Sequence, residues 1–312
     1  MVKAVDVLGL GAVAVDDFIY VARYPPPDAK ARVLRRDRQC GGLTATALVT
    51  AARLGARCAY AGVLGRDELS GFALGCLKRE GVDVAWVQRR PAAGPGYSTI
   101  IVDQERGTRN IFSDVRRVVG ASTRTPAALI ASSRVLLIDH IGVPGMIRAA
   151  RLARRAGIPV VADFERDHDP QFRRLMALAD HLIISRSFAA ALTGFRSPEM
   201  AVLKLARPDR EVSVVTCGEE GCWYLAQGWS KPRHQPAFRV KVADTTGCGD
   251  VFHGAYAFAL ARGMRLEERI RFAAATAALK AARPGGQDGV PSLRAVRRFL
   301  AVARVRPEDG PA

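Results

Sequence analysis

Asp244-Thr245-Thr246-Gly247-Cys248-Gly249-Asp250 runs straight into Val251-Phe252-His253-Gly254-Ala255-Tyr256-Ala257-Phe258, and this junction decides how the chain is read. Two glycines flank one small residue, an aspartate follows, and a long apolar, helix-forming run comes after it. That order leaves backbone N–H groups free at the start of a helix, where partial positive charge gathers and anions bind. A carboxylate beside an anion cradle suits phosphoryl transfer to a hydroxyl group, with Asp250 placed to take the proton. The same residues also fit a plainer use, a Gly-rich loop entering a buried helix whose dipole Asp250 favours.

Outward from that loop the chain alternates. Helical segments (126–132, 145–156, 171–179, 199–206) interleave with apolar strand segments (135–139, 159–162, 181–184), two strands follow at 212–216 and 222–225, and two or three helices close the chain after residue 249. This pattern predicts an open parallel sheet with helices on both faces, a three-layer α/β/α sandwich. Nearer the N-terminus, 5–15 reads as one buried strand, 41–54 as a helix ended by Gly55, 58–64 as the next strand and 69–79 as a helix stopped by Gly81. Residues 16–21, 31–39, 98–103 and 109–112 have hairpin-like character and do not fit the parallel sheet. They predict a small β-sheet lid inserted at about 14–40 and 96–115 of a domain spanning 1–305, with 306–312 a flexible polar tail.

Composition bounds the function. No apolar run in the 312 residues nears the roughly 18 needed to span a membrane, so no membrane association is expected. Six cysteines without a C-x-x-C pair suit reduced thiols and a cytoplasmic protein, and they offer no zinc-site spacing. The net charge of +17 admits nucleic-acid binding. Yet the arginines lie in scattered pairs without an aromatic-basic stripe, so an arginine-rich surface or attraction of a polyanionic substrate is favoured. Gly9-Leu10-Gly11-Ala12-Val13-Ala14 fits a dinucleotide-binding pattern, but the residues after it have strand chemistry where that reading needs a helix. A Walker A sequence is absent.

The 244–255 stretch resembles the second signature of the ribokinase-like (PfkB) carbohydrate kinases, and Cys40-Gly41-Gly42-Leu43-Thr44-Ala45-Thr46-Ala47 resembles their first. Matches at 62–67, 81–83, 216–221 and 283–286 follow in the family's order, so the resemblance covers nearly the whole chain. Through 234–238 and 250–255 it looks most similar to the sulfofructose kinase and ketohexokinase-like branch.

The resemblance implies an ATP- and Mg²⁺-dependent kinase acting on a primary hydroxyl of a ketohexose or related furanose, with nucleosides and sulfofructose as alternative acceptors. Asp250 would be the general base, and Gly247, Cys248 and Gly249 the anion hole. Asp16, Lys30, Gly41, Gly42, Thr46 and Arg109 would meet the sugar, and Ser185, Thr216, Gly218 and Gly221 the nucleotide. Asp244, Thr246, Arg283, Gly285 and Gly289 match positions around the family's monovalent-cation loop, which makes K⁺ a candidate cofactor. A homodimer through the lid is also implied. Thr46 stands where many members of the family place an asparagine and Leu43 where ribokinases place a lysine, which speaks against ribose, while Ser185-Arg186-Ser187-Phe188 stands where an Asn-Glu-x-Glu motif often sits. Cys248, near a helix N-terminus, is expected to have an acidic thiol. A catalytically silent sugar- or nucleotide-binding regulator on the same fold is the alternative from another class, and Asp16 together with Asp250 argues against it.

Overall fold

The apolar runs assemble into one nine-stranded sheet in the order Arg233–Gln235, Cys222–Ala226, Val212–Thr216, His181–Ser185, Val160–Asp163, Ser133–Asp139, Val5–Leu10, Cys58–Tyr60 and Val82–Asp83. This computed structural model describes residues 4–303, so the tail expected at 306–312 lies outside the described residues. Side-chain alternation along the strands builds the two faces. Val161 and Ile183 join a core with the helices Leu43–Arg53, Glu68–Arg79, Cys248–Ala261, Leu266–Ala281 and Leu293–Val302. Val160, Ala162, Leu182 and Ile184 join the opposite core with Ala127–Ala131, Val143–Arg155, Phe172–Met176, Arg186–Thr193 and Pro198–Leu205. The three-layer α/β/α sandwich is therefore present. Among the described residues no helix is long and apolar enough to cross a membrane.

Four expectations need correction. The sheet is mixed, because Cys222–Ala226 and Arg233–Gln235 run antiparallel at one edge; the short turn after Thr216 leaves no room for the crossover a parallel strand requires. The run 5–15 is two elements, Val5–Leu10 in the large sheet and the start of Ala14–Val21 in the lid. The run 58–64 also divides, since the Tyr60 ring lies over Gly62 so closely that a Cβ there would stand 2.0 Å from the Tyr60 hydroxyl. The helix Arg186–Thr193, capped by the Ser185 hydroxyl, was not expected.

The lid is a four-stranded sheet in the order Val33–Gly41, Ala14–Val21, Gly96–Asp103, Thr108–Asp114. It joins the body through Gly11-Ala12-Val13, the stretch that mimicked a dinucleotide motif. Buried Asp139 grips that hinge. Its Oδ2 accepts the Ala12 N–H (2.6 Å) and the Thr44 hydroxyl (2.9 Å), and its Oδ1 accepts the Ile141 N–H (2.8 Å). Burial pushes the Asp139 carboxyl up to about 6, against the pull of these three donors.

The helices Leu43–Arg53 and Cys248–Ala261 cross at Gly254, where an added Cβ would stand 2.2 Å from the Ala47 carbonyl oxygen. Gly254→Ala gains about 1 kcal/mol of helix propensity, but the collision is with backbone. The variant is expected to lose about 1–3 kcal/mol net in urea unfolding. Asp139→Asn must turn its amide NH₂ toward one of the N–H donors, leaving a buried donor unpaired at a cost of about 1–3 kcal/mol. The folded-state pKa of Asp139 is raised, so its contribution to stability is greatest below pH 3.8 and is lost as pH rises through about 6. Unfolding curves across that window should show this component in the wild type and not in Asp139→Asn.

Candidate active site

The parallel strands end along one edge of the sheet, which carries Asp139, Asp163, Ser185 and Thr216. The helix Cys248–Ala261 starts over that edge with Gly247 as N-cap in the left-handed region (φ 73°). Its first N–H groups have no partner inside the helix. One of them, on Cys248, turns back to the Thr245 carbonyl (3.2 Å), which closes the loop and leaves Gly247 and Gly249 on either side.

Asp250 stands in the first turn. Burial raises its carboxyl well above the ordinary carboxylate range, and the charges of Asp163, Glu165 and Asp139 add to that, while Lys280 opposes it. Asp163 is raised too, by burial and then by Glu165 and Asp139. Its Oδ2 has no hydrogen bond among the described residues. The nearest partner is His253 Nδ1 at 3.2 Å, and that nitrogen also faces the Gly249 carbonyl at 2.8 Å. His253 Nε2 meets the Ile183 carbonyl at 3.0 Å, so this imidazole ties the base-bearing helix to the sheet. It is a packed helix residue, as its apolar surroundings in the sequence suggest.

The first signature arrives from the other side. Gly42 has φ 96°, and a Cβ on it would stand 2.7 Å from the Ala14 N. A Cβ on Gly41 would stand 2.9 Å from Asp16 Oδ2, so the carboxylate lies against bare backbone. Burial raises the Asp16 carboxyl, partly offset by a hydrogen bond from Ser98. Thr46 closes the gap between the two loops: its methyl would lie 3.6 Å from a Cβ on Gly247. Its hydroxyl accepts from Gln287 Nε2 at 3.3 Å.

Arg109 reaches from the lid hairpin across the cleft, and its Nη1 donates to the Thr246 hydroxyl at 3.1 Å. The lid and the 244–250 loop thus touch through two residues singled out in the sequence. Lys30, in the segment between the first two lid strands in chain order, is exposed.

A pocket of about 320 Å³ opens beside the loop, and Thr216, Gly218, Gly221, Cys248 and Gly249 line it together. Its far wall is apolar, built from Phe252, Ala274, Ala277 and Ala278, which suits a flat heteroaromatic base. Ser185 is not among the lining residues. It is in register with Thr216 one strand away, and its hydroxyl caps the next helix through the Phe188 N–H (3.3 Å) and meets Ser187 Oγ (3.0 Å). Arg186 pairs with Glu220. The acidic thiol expected at Cys248 is not found: burial pushes it up to about 11, because its Sγ points into the body toward the Ala277 carbonyl (3.7 Å).

Around the last loop, Asp244 Oδ1 accepts the Thr246 N–H (2.8 Å) and Oδ2 the Gly285 N–H (3.0 Å), so three of the five residues marked for a cation share one carboxylate. Arg283 is exposed and faces the loop through its backbone. Sequence reasoning missed Lys280, Gln287 and Asp139. Lys280 is a lone basic residue ending an alanine-rich helix, and nothing in that pattern signals that it is buried.

Comparison with known proteins agrees with this geometry. The profile of the pfkB family carbohydrate kinases matches residues 6–293. Ribokinase of Mus musculus is 31% identical over 80% of this chain and 81% of its own. Fructokinase-1 of Oryza sativa is 28% identical over 83% and 88%. The solved structure of Arabidopsis thaliana ribokinase complexed with ribose and ATP superposes with a TM-score of 0.83, at 25% identity over 96% of this chain and 99% of that one. The chain belongs to the pfkB family of carbohydrate kinases, which are ATP-dependent phosphotransferases.

Proposed function

We propose that the protein transfers the γ-phosphate of ATP to a primary hydroxyl of a ketohexose or related furanose, with Asp250 as the general base. The observation that carries this reading is the meeting of two helix N-termini: the Gly41-Gly42 turn with Asp16 on one side, and the Gly247–Asp250 turn on the other, with Thr46 between them. The relatives phosphorylate different sugars by name, one a ribokinase and one a fructokinase, so the acceptor is argued from the site itself. Thr46, whose hydroxyl accepts from Gln287, offers the sugar no amide at that point, which supports an acceptor other than ribose.

In this reading the acceptor's hydroxyls lie on Asp16 and the backbone of Gly41 and Gly42. The nucleotide lies along Thr216, Gly218 and Gly221, with its base against the alanines of the 266–281 helix. The N–H groups of Gly247 and Gly249 face the phosphoryl group as charge shifts onto its oxygens. Asp250, with its raised proton affinity, takes the proton of the attacking hydroxyl. Mg²⁺, if bound here, would be held by one or two carboxylates together with the phosphates. Among the described residues no cluster of three or more acidic, His or Cys side chains could hold a metal alone. The hydrogen-bond-free oxygen of Asp163 and the nearby Glu165 fit an ion shared with the phosphates, whose chemistry would be charge neutralisation. The Arg109–Thr246 contact closes the cleft and excludes water, directing the phosphoryl group to the sugar rather than to hydrolysis.

Asp250→Asn keeps the shape and removes the base. ADP release over a panel of fructose, ribose, sulfofructose and nucleosides should fall by about 10²- to 10⁴-fold for the preferred acceptor. Equal turnover by wild type and variant would remove Asp250 from the mechanism.

The lid's outer strands carry Leu34 (50% exposed), Ile111 (54%) and Phe112 (54%). Open strand edges of this kind are covered in stable proteins, which supports a homodimer formed lid to lid. Light scattering should give twice the chain mass for the wild type and the single-chain mass for Phe112→Asp. A monomeric wild type at the same concentration would dismiss the dimer.

A further inference from the structure

The loop that the family resemblance marks for a monovalent cation already contains a cation of the chain's own. Lys280, at the end of the 266–281 helix, is 0% exposed. Its Nζ donates to the Asp244 carbonyl at 2.9 Å and lies 3.8 Å from Asp244 Oδ2. The lysine stem passes Gly289 so closely that a Cβ there would stand 3.3 Å from Cε, and the same Cβ would be 3.0 and 3.3 Å from the Gly285 and Arg283 carbonyl oxygens. The ammonium group thus bonds the 244–246 segment while its stem passes along 283–289, the two segments that a bound K⁺ would have to gather. A buried ammonium must find hydrogen-bond acceptors and a counter-charge, and here both come from Asp244. A second unit charge at that spot would compete for the same oxygens and be repelled by the first. The residues present therefore do not fit K⁺.

We propose that Lys280 is a positioning residue that stands in for a bound monovalent cation, so that this kinase works without K⁺. The inference rests on reading the 244–250 loop as the phosphoryl-transfer centre. Lys280 fixes the Asp244 carbonyl, and the Asp244 carboxylate fixes the Thr246 and Gly285 N–H groups. Between Thr246 and Asp250 only Gly247, Cys248 and Gly249 intervene, and two of these are glycines that cannot hold their own conformation. The ammonium supplies that restraint from the side. Its charge also pulls down the proton affinities of Asp250 and Cys248 against the upward push of burial. Unlike a free ion, it is tethered and stays in place at any salt composition.

The test compares K⁺ with choline at matched ionic strength, using Mg-ATP affinity by calorimetry and the melting temperature as readouts independent of the acceptor. For the wild type neither should change. Lys280→Met keeps the stem and removes the charge, and it should bind Mg-ATP roughly 10- to 100-fold more weakly in choline. K⁺ or NH₄⁺ should restore much of that loss, and tetramethylammonium should not. A wild type whose Mg-ATP affinity or melting temperature rises with K⁺ overturns the proposal. So does a Lys280→Met protein that binds Mg-ATP normally in choline, or one whose loss no small cation repairs, since that marks a merely structural lysine. If the variant does not fold, the wild-type titration alone decides. A wild type that binds Mg-ATP without K⁺ yet turns over no acceptor would sink the sugar reading and leave this one standing.

Discussion

Two helices must cross with almost no side chain between them for this site to exist. At Gly254 the 248–261 helix meets the carbonyl of Ala47 at a distance no Cβ tolerates, and the 43–53 helix answers with Ala47 and Thr50. Both helices begin at a glycine with positive φ, Gly42 and Gly247, and both begin over the same edge of the sheet. Close crossing therefore brings the starts of the two helices together, with Asp16 of the lid strand Ala14–Val21 beside one and Asp250 in the first turn of the other. Wider spacing would keep every residue of both motifs and separate the Gly41-Gly42 turn from the 244–250 loop.

The electrostatics of that edge are deliberately unbalanced. Burial raises the proton affinity of Asp139, Asp163 and Asp250; Glu165 adds to all three, Asp139 adds to Asp163 and Asp250, and Asp163 adds to Asp250. Carboxylates crowded in this way are costly unless positive charge arrives. Asp163 Oδ2 has no hydrogen bond among the described residues, so in the proposed function it gains most from the charge that a nucleotide's metal would bring. Asp139 differs from the others because three donors satisfy it within the fold. It holds the hinge.

What could be read from the sequence was local. Gly-Gly before a helix and Gly-x-Gly-Asp before another specify their own backbone geometry, so both turns of the candidate site were visible without a fold. Strand–helix alternation gave the layers for the same reason. The misreadings came where a distant residue sets the local outcome. The 5–15 run looks like one strand because its break depends on Asp139, more than a hundred residues away, accepting the Ala12 N–H. The 58–64 run divides because one tyrosine folds over Gly62. Cys248 looked acidic from its place at a helix start, but the dipole acts on a thiolate that faces it, and this sulfur turns inward.

Lys280 shows most clearly why the remainder was hidden. In the run Ala273–Ala282 it is the sole charged side chain, at a place where a lysine ordinarily favours the helix C-terminus from solvent. It is buried because the chain turns back after Pro284, and Gly285 (φ 80°) and Gly289 let that return pass close to the lysine stem. The glycines that resemble a cation loop are thus needed whether the cation is a free ion or an ammonium group. A motif defined by backbone shape reports the shape; which charge fills it depends on a side chain from a neighbouring helix. Assigning a cofactor from such a loop requires knowing what already stands inside it.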